Sequence, residues 1–68
     1  MIWNDKLKEL REDHDLTQNQ MAKIIGITQR TVSYYEKGER MLPPEIIIKY
    51  ANFFNVTTDY ILRNKKGT

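Results

Sequence analysis

The sequence predicts an all-α domain of five short helices, the second and third forming a helix-turn-helix. Three observations carry this. Apolar residues recur at three- and four-residue spacings in five separate segments. Gly26, Gly38 and the Pro43-Pro44 pair punctuate those segments at their ends. No stretch makes a convincing strand. The chain has 68 residues, enough for one domain at most. The expected domain is 1–64, with 65–68 a flexible basic tail.

The first helix is expected from about Trp3 to His14. Trp3, Leu7, Leu10 and His14 fall at i, i+4, i+7 and i+11, one stripe of a helical wheel. Leu16 leads onward and is expected to pack under the next two helices. His14 is the only histidine. It has no partners at ligand or catalytic spacing, so it is read as a helix-end residue favoured by the C-terminal dipole.

The second helix begins with Thr17 and Gln20, a capping box. The Thr hydroxyl accepts from the Gln20 N–H while the Gln side chain reaches back. Met21, Ala22 and Ile25 make one apolar edge. Gly26 follows at once, suited to the left-handed turn that ends a helix. Ala22 is the small residue that lets two steeply crossing helices approach. Ile27 carries the apolar run into the turn.

Thr28 is a second N-cap residue and opens the third helix. Val32 and Tyr35 face inward, with Glu36 beside them, and Gly38 ends the helix. The outward positions are Gln29, Arg30, Thr31, Ser33, Tyr34 and Lys37. Glu39 to Pro44 is expected as a loop, with Pro44 suited to the first turn of the fourth helix.

The fourth helix is expected over Pro44 to Phe54, with Ile47, Tyr50, Ala51 and Phe54 as its core stripe. Ile46 and Phe53 lie together on the flank. Two readings stay open for them: they widen the buried face, or they form an exposed patch that marks a partner contact, here a dimer. Asn55 and Val56 end this helix. Thr57 caps a last one, about Thr58 to Arg63, with Tyr60 and Ile61 or Leu62 turned inward.

Net charge is only +2, and its distribution says more than its size. Asp5, Glu9, Glu12, Asp13 and Asp15 outweigh Lys6, Lys8 and Arg11 in the first segment. Lys23, Arg30, Lys37 and Arg40 outweigh Glu36 and Glu39 in the middle. A basic face opposite an acidic one suits contact with phosphates. There is no cysteine, hence no disulfide and no cysteine metal site. No apolar run approaches the roughly 20 residues that span a bilayer. The N-terminus lacks the pattern of a signal peptide. A cytoplasmic setting is expected.

The run Leu16-Thr17-Gln18, Met21-Ala22, Ile25-Gly26-Ile27-Thr28, Val32, Tyr35-Glu36-Lys37-Gly38 and Arg40 resembles the Cro/cI (XRE) family of bacterial and phage repressors. The likeness reaches from about Leu7 to Leu62. It implies a five-helix, lambda-repressor-like DNA-binding domain. It also implies an ion pair between Arg11 and Glu36, tying helix 1 to helix 3. One departure stands out. The family usually carries Pro-Ser before helix 4, where Ser caps the helix; this chain has Pro43-Pro44.

A recognition helix reads bases from its N-terminal part while lying in the major groove. Gln29 suits a bidentate bond to adenine and Arg30 one to guanine. Tyr34 suits a thymine methyl or a phosphate. The resemblance supports base reading by Gln29, Arg30, Ser33 and Tyr34, with Thr31 beside them. Phosphate contacts are expected from Thr17, Gln18, Thr28, Lys37 and Arg40. Gln18 stands where the family has a backbone-contacting glutamine, at a helix end that favours anions.

The expected function is a sequence-specific transcriptional regulator, a repressor on a two-fold operator. A homodimer is the expected working form, its half-sites about 34 Å apart. The other reading is a protein-interaction module on the same fold, an antitoxin or a partner-binding regulator. An anti-repressor is a further conceivable partner. No enzyme is expected, since there is no phosphate loop and no carboxylate cluster; nor is any cofactor or metal.

Overall fold

The computed structural model describes residues 2–63, with side chains from Asn4 to Leu62. Trp3's place in the helix 1 stripe and the expected basic tail lie outside the described side chains. Five α-helices follow in order: α1 Ile2–Asp13, α2 Gln18–Ile25, α3 Gln29–Lys37, α4 Pro44–Phe54 and α5 Thr58–Arg63. Among the described residues there is no strand. The all-α expectation and its five elements stand.

Each boundary has a local cause. Thr17 Oγ1 accepts from the Gln20 N–H at 3.1 Å, and the Thr17 N–H donates to Gln20 Oε1 at 2.8 Å. The capping box is therefore closed in both directions. Gly26 ends α2 at φ +88°, and its N–H donates to the Ala22 carbonyl. Thr28 caps α3 through the Thr31 N–H at 3.1 Å. Gly38 ends α3 at φ +73°.

Two terminations use residues other than glycine. Asp15, at φ +57°, ends α1, and the Leu16 N–H donates back to the Arg11 carbonyl at 3.1 Å. Asn55, also at φ +57°, ends α4. Short polar side chains tolerate this region better than bulky ones.

The start of α4 answers the question left by the proline pair. Pro43 is the N-cap and makes no side-chain cap bond. Its carbonyl accepts from Ile46 and Ile47, both at 3.0 Å. Pro44 brings no N–H to the helix end, so one donor that would need a partner is missing by construction of the residue.

All five helices meet in one core. Leu7 and Leu10 of α1 join Met21, Ala22 and Ile25 of α2, Val32 and Tyr35 of α3, and Ile47, Tyr50, Ala51 and Phe54 of α4. Ile61 completes it from α5, and Leu16, Ile27 and Val56 pack against its edge. Ile46 is only 8% exposed and belongs to this core. Its expected place as a dimer candidate is therefore corrected, because its side chain is spent on internal packing. Phe53 is exposed, with its ring edge on Phe54 at 5.0 Å.

Helix 5 also departs from expectation. Ile61 turns inward, while Tyr60 and Leu62 are exposed. Tyr60 is not idle: Lys6 Nζ lies 4.6 Å from its ring centroid and 3.4 Å from its hydroxyl. The same ammonium donates to Glu9 at 2.7 Å, which raises the Lys6 pKa. His14 sits beyond the end of α1, its Nδ1 2.9 Å from the Leu10 carbonyl and its ring 4.8 Å from Phe54.

Candidate nucleic-acid interface

The site starts from how α3 is held. Val32 is fully buried, and Tyr35 and Glu36 are nearly so. They define the inner face of the helix, and the opposite face is left to solvent. Ala22, 3% exposed, lies at the crossing with α2, where its carbonyl also accepts from the N–H groups of Gly26 and Ile27. Gly26, by contrast, has open space around it: an added Cβ would come no nearer than 4.0 Å to Lys49 Nζ. The glycine is required by its positive φ, not by crowding.

The ion pair expected from the resemblance is present. Arg11 Nε donates to Glu36 Oε2 at 2.6 Å, and Nη2 donates to Oε1 at 3.0 Å. The third guanidinium nitrogen, Nη1, donates to the Leu16 carbonyl at 2.8 Å. The two side chains are 10% and 3% exposed. Hydrogen bonding to Glu36 raises the Arg11 pKa further still. This bidentate, shielded geometry joins α1, the α1–α2 corner and α3.

Two more residues enter the same network. Gln18 Nε2 donates to Glu36 Oε1 at 3.0 Å, and Asn4 Nδ2 donates to the Glu36 backbone carbonyl at 3.0 Å. Neither role was anticipated. Asn4 and Glu36 are 32 residues apart, and no spacing rule links them. Lys49 was missed for the same reason. Its ammonium donates to the Ile25 carbonyl at 3.2 Å and closes the C-terminal end of α2 from α4.

The outward face is a single open groove of about 480 Å³. It is lined by Gln18, Gln29, Arg30, Ser33, Tyr34 and Lys37. Four of the five expected base-reading residues thus share one surface with two of the expected phosphate contacts. Gln29, Arg30 and Lys37 are exposed, and Gln18, Ser33 and Tyr34 are half-buried. Thr31 stands apart from them. Its hydroxyl lies 2.8 Å from that of Thr28, so the two threonines form a doubled cap.

Thr17 and Thr28 both use their side-chain oxygens as acceptors for backbone N–H groups. Arg40, in the loop after α3, lies with its guanidinium carbon 4.4 Å from the Tyr34 ring centroid. The first turns of α2 and α3 contain no acid, whereas α1, α4 and α5 carry Asp5, Glu45 and Asp59 there. The positive ends of the two helices that border the groove carry no carboxylate of their own.

Among the described residues, no group of His, Cys, Asp and Glu is placed to hold a metal ion. Among the same residues, no helix is long and apolar enough to cross a membrane.

Comparison with known proteins agrees with this geometry. A helix-turn-helix family model matches residues 7–61. The uncharacterized HTH-type transcriptional regulator YqaE of Bacillus subtilis is 33% identical over 66 residues, covering 97% of this chain and 57% of that protein. The antitoxin PezA of Streptococcus pneumoniae is 41% identical over 51 residues, covering 75% of this chain and 32% of that protein. The chain therefore spans from about a third to somewhat over half of these relatives. Among solved structures, the P22 c2 repressor protein in complex with synthetic operator 9T aligns with a TM-score of 0.87 at 17% identity. The match covers 96% of this chain and 98% of that one. At that identity it speaks for the fold. With the family match spanning both helices, their turn and most of the core, the chain belongs to the Cro/cI-type (XRE) helix-turn-helix family.

Proposed function

We propose that the chain is a sequence-specific DNA-binding transcriptional regulator, acting as a repressor on a two-fold operator. One observation carries the proposal: Gln18, Gln29, Arg30, Ser33, Tyr34 and Lys37 line one outward groove over a helix whose inner face is locked. Gln29 and Arg30, in the first turn of α3, reach base edges as bidentate partners of adenine and guanine. Ser33 and Tyr34 follow one turn later. Thr17, Gln18, Thr28, Lys37 and Arg40 flank them and meet phosphates, which set register and supply affinity.

One such domain reads few base pairs, so a homodimer is the proposed working form. Half-sites about 34 Å apart match one turn of B-DNA. The pairing surface is the apolar groove between α4 and α5, about 280 Å³, lined by Pro44, Ile47, Ile48, Thr58 and Leu62. Ile48 and Leu62, 50% and 43% exposed, replace Ile46 in that role. Its place of action is the cytoplasm.

Selection of bound sequences from a random DNA pool tests the reading. A symmetric consensus is expected. Arg30→Ala should then cost about 1–3 kcal/mol and relax preference at one position. Equal loss on selected and random DNA would remove Arg30 from the base-reading set. The similarity to PezA favours a second reading, a partner-binding regulator or antitoxin. There the α4–α5 groove grips a second protein, and substitution of Ile48 weakens that complex while leaving DNA binding intact.

A further inference from the structure

We propose that Arg40 is a specificity-determining residue that acts through Tyr34, holding its ring as a platform for a thymine methyl group. The inference rests on the DNA-binding reading above and assigns Arg40 a task beyond a phosphate contact.

The placement follows from the chain. Gly38 turns the backbone in the left-handed region, and its N–H donates to the Tyr34 and Tyr35 carbonyls. The Glu39 N–H then donates to the Tyr34 carbonyl at 2.9 Å. The loop is thus folded back onto the very residue whose ring borders the groove. One residue further on, the Arg40 guanidinium carbon lies 4.4 Å from the Tyr34 ring centroid. A planar cation over an aromatic face is attracted by the ring quadrupole. It favours one rotamer of a half-buried tyrosine.

The chemistry of the target follows from what is left. Arg40 lies over the Tyr34 ring, and Tyr34 also lines the groove with Arg30, Ser33 and Lys37. An apolar ring surface held at the wall of a major groove has one apolar feature to meet, the thymine C5 methyl. A ring fixed in advance loses less freedom on contact, so the methyl is read more sharply.

The test replaces each thymine of the selected site by uracil, which removes the methyl and keeps the pairing. Affinities are measured for the wild-type chain, Arg40→Ala, Arg40→Lys, Tyr34→Ala, Tyr34→Phe and the Arg40→Ala/Tyr34→Ala double variant, each over a range of salt. One thymine should show a wild-type penalty of about fourfold for loss of its methyl. That penalty should vanish in Tyr34→Ala, persist in Tyr34→Phe, and shrink by at least half in Arg40→Ala. The double variant should lose no more discrimination than Tyr34→Ala alone, as coupled residues do. Arg40→Lys should keep the wild-type salt slope yet recover only part of the penalty.

If Arg40→Ala keeps the full uracil penalty and only flattens the salt slope, Arg40 is a phosphate contact and the inference is overturned. The same follows if no uracil penalty depends on Tyr34. A wild-type chain without any base preference overturns the DNA-binding reading as well, which separates the two failures.

Discussion

Glu36 shows what a single buried charge does in so small a protein. Its carboxylate is 3% exposed and accepts from Arg11 twice and from Gln18 once. Glu36→Gln removes the charge but leaves the guanidinium beside it, and turns a donor amide toward other donors. We predict a loss of about 3–5 kcal/mol, the range for breaking one side of a buried pair. Urea unfolding checks it, and a loss under about 1 kcal/mol would mean that solvent screens the pair. Tyr50 is the opposite case. It is fully buried, and its hydroxyl has no hydrogen-bond partner among the described residues. Tyr50→Phe should therefore raise stability by about 1 kcal/mol at neutral pH. Burial also pushes its phenol well above the ordinary value, with Glu36 adding to the rise and Arg11 opposing it. The folded chain keeps this proton when the unfolded chain releases it, above about pH 10. Stability then falls with rising pH, at up to about 1.4 kcal/mol per unit from this group. In Tyr50→Phe that part of the alkaline slope should be gone, as urea midpoints at pH 7 and pH 11 will report.

At the scale of the element, the helix-turn-helix is a matter of spacing and of one methyl group. Ala22→Leu should overpack the α2–α3 crossing and cost about 1–3 kcal/mol, measured by thermal melting. An unchanged melting temperature would place the close approach elsewhere. This element was readable from sequence because its parts are local. The Thr17–Gln20 box, the Gly26 corner and the Thr28 cap each need only residues three or four apart. The end of α1, which has no glycine, was harder. Asp15 adopts the left-handed region because the Leu16 N–H turns back to Arg11, and nothing adjacent announces it. Ile46 stayed open between two readings for a different reason. In a chain with isoleucine at 46, 47 and 48, periodicity alone does not say how wide the buried arc is. The packing of α4 against α5 and α2 decides it, and puts Ile48 outside. Tyr60 was expected inward on its apolar bulk, but Lys6 offers its ring a cation at the surface.

In the whole molecule, three long-range bonds converge behind one face. Arg11, Asn4 and Gln18 all reach Glu36, from 25, 32 and 18 residues away. The Arg11–Glu36 part of that convergence came from resemblance, and the other two bonds carried no sequence signal. The acidic first segment and basic middle were visible in composition, as was the face on which Arg30 and Lys37 stand together. If that face meets phosphates, Lys37→Ala should weaken binding to every DNA sequence and flatten the salt slope by about one unit. Filter binding over a range of potassium chloride measures it, and an unaltered slope takes Lys37 off the backbone.

The missing acids in the first turns of α2 and α3 have a thermodynamic consequence. An aspartate or glutamate at such a place adds about 0.3–1 kcal/mol to a helix. This chain forgoes that gain at two of its five helices, the two that frame the groove. A carboxylate in either seat would have to be pushed aside, or repelled, whenever a phosphate arrived. The domain is thus less stable than its architecture allows, and on the DNA-binding reading proposed above a phosphate at either helix end would make up the shortfall.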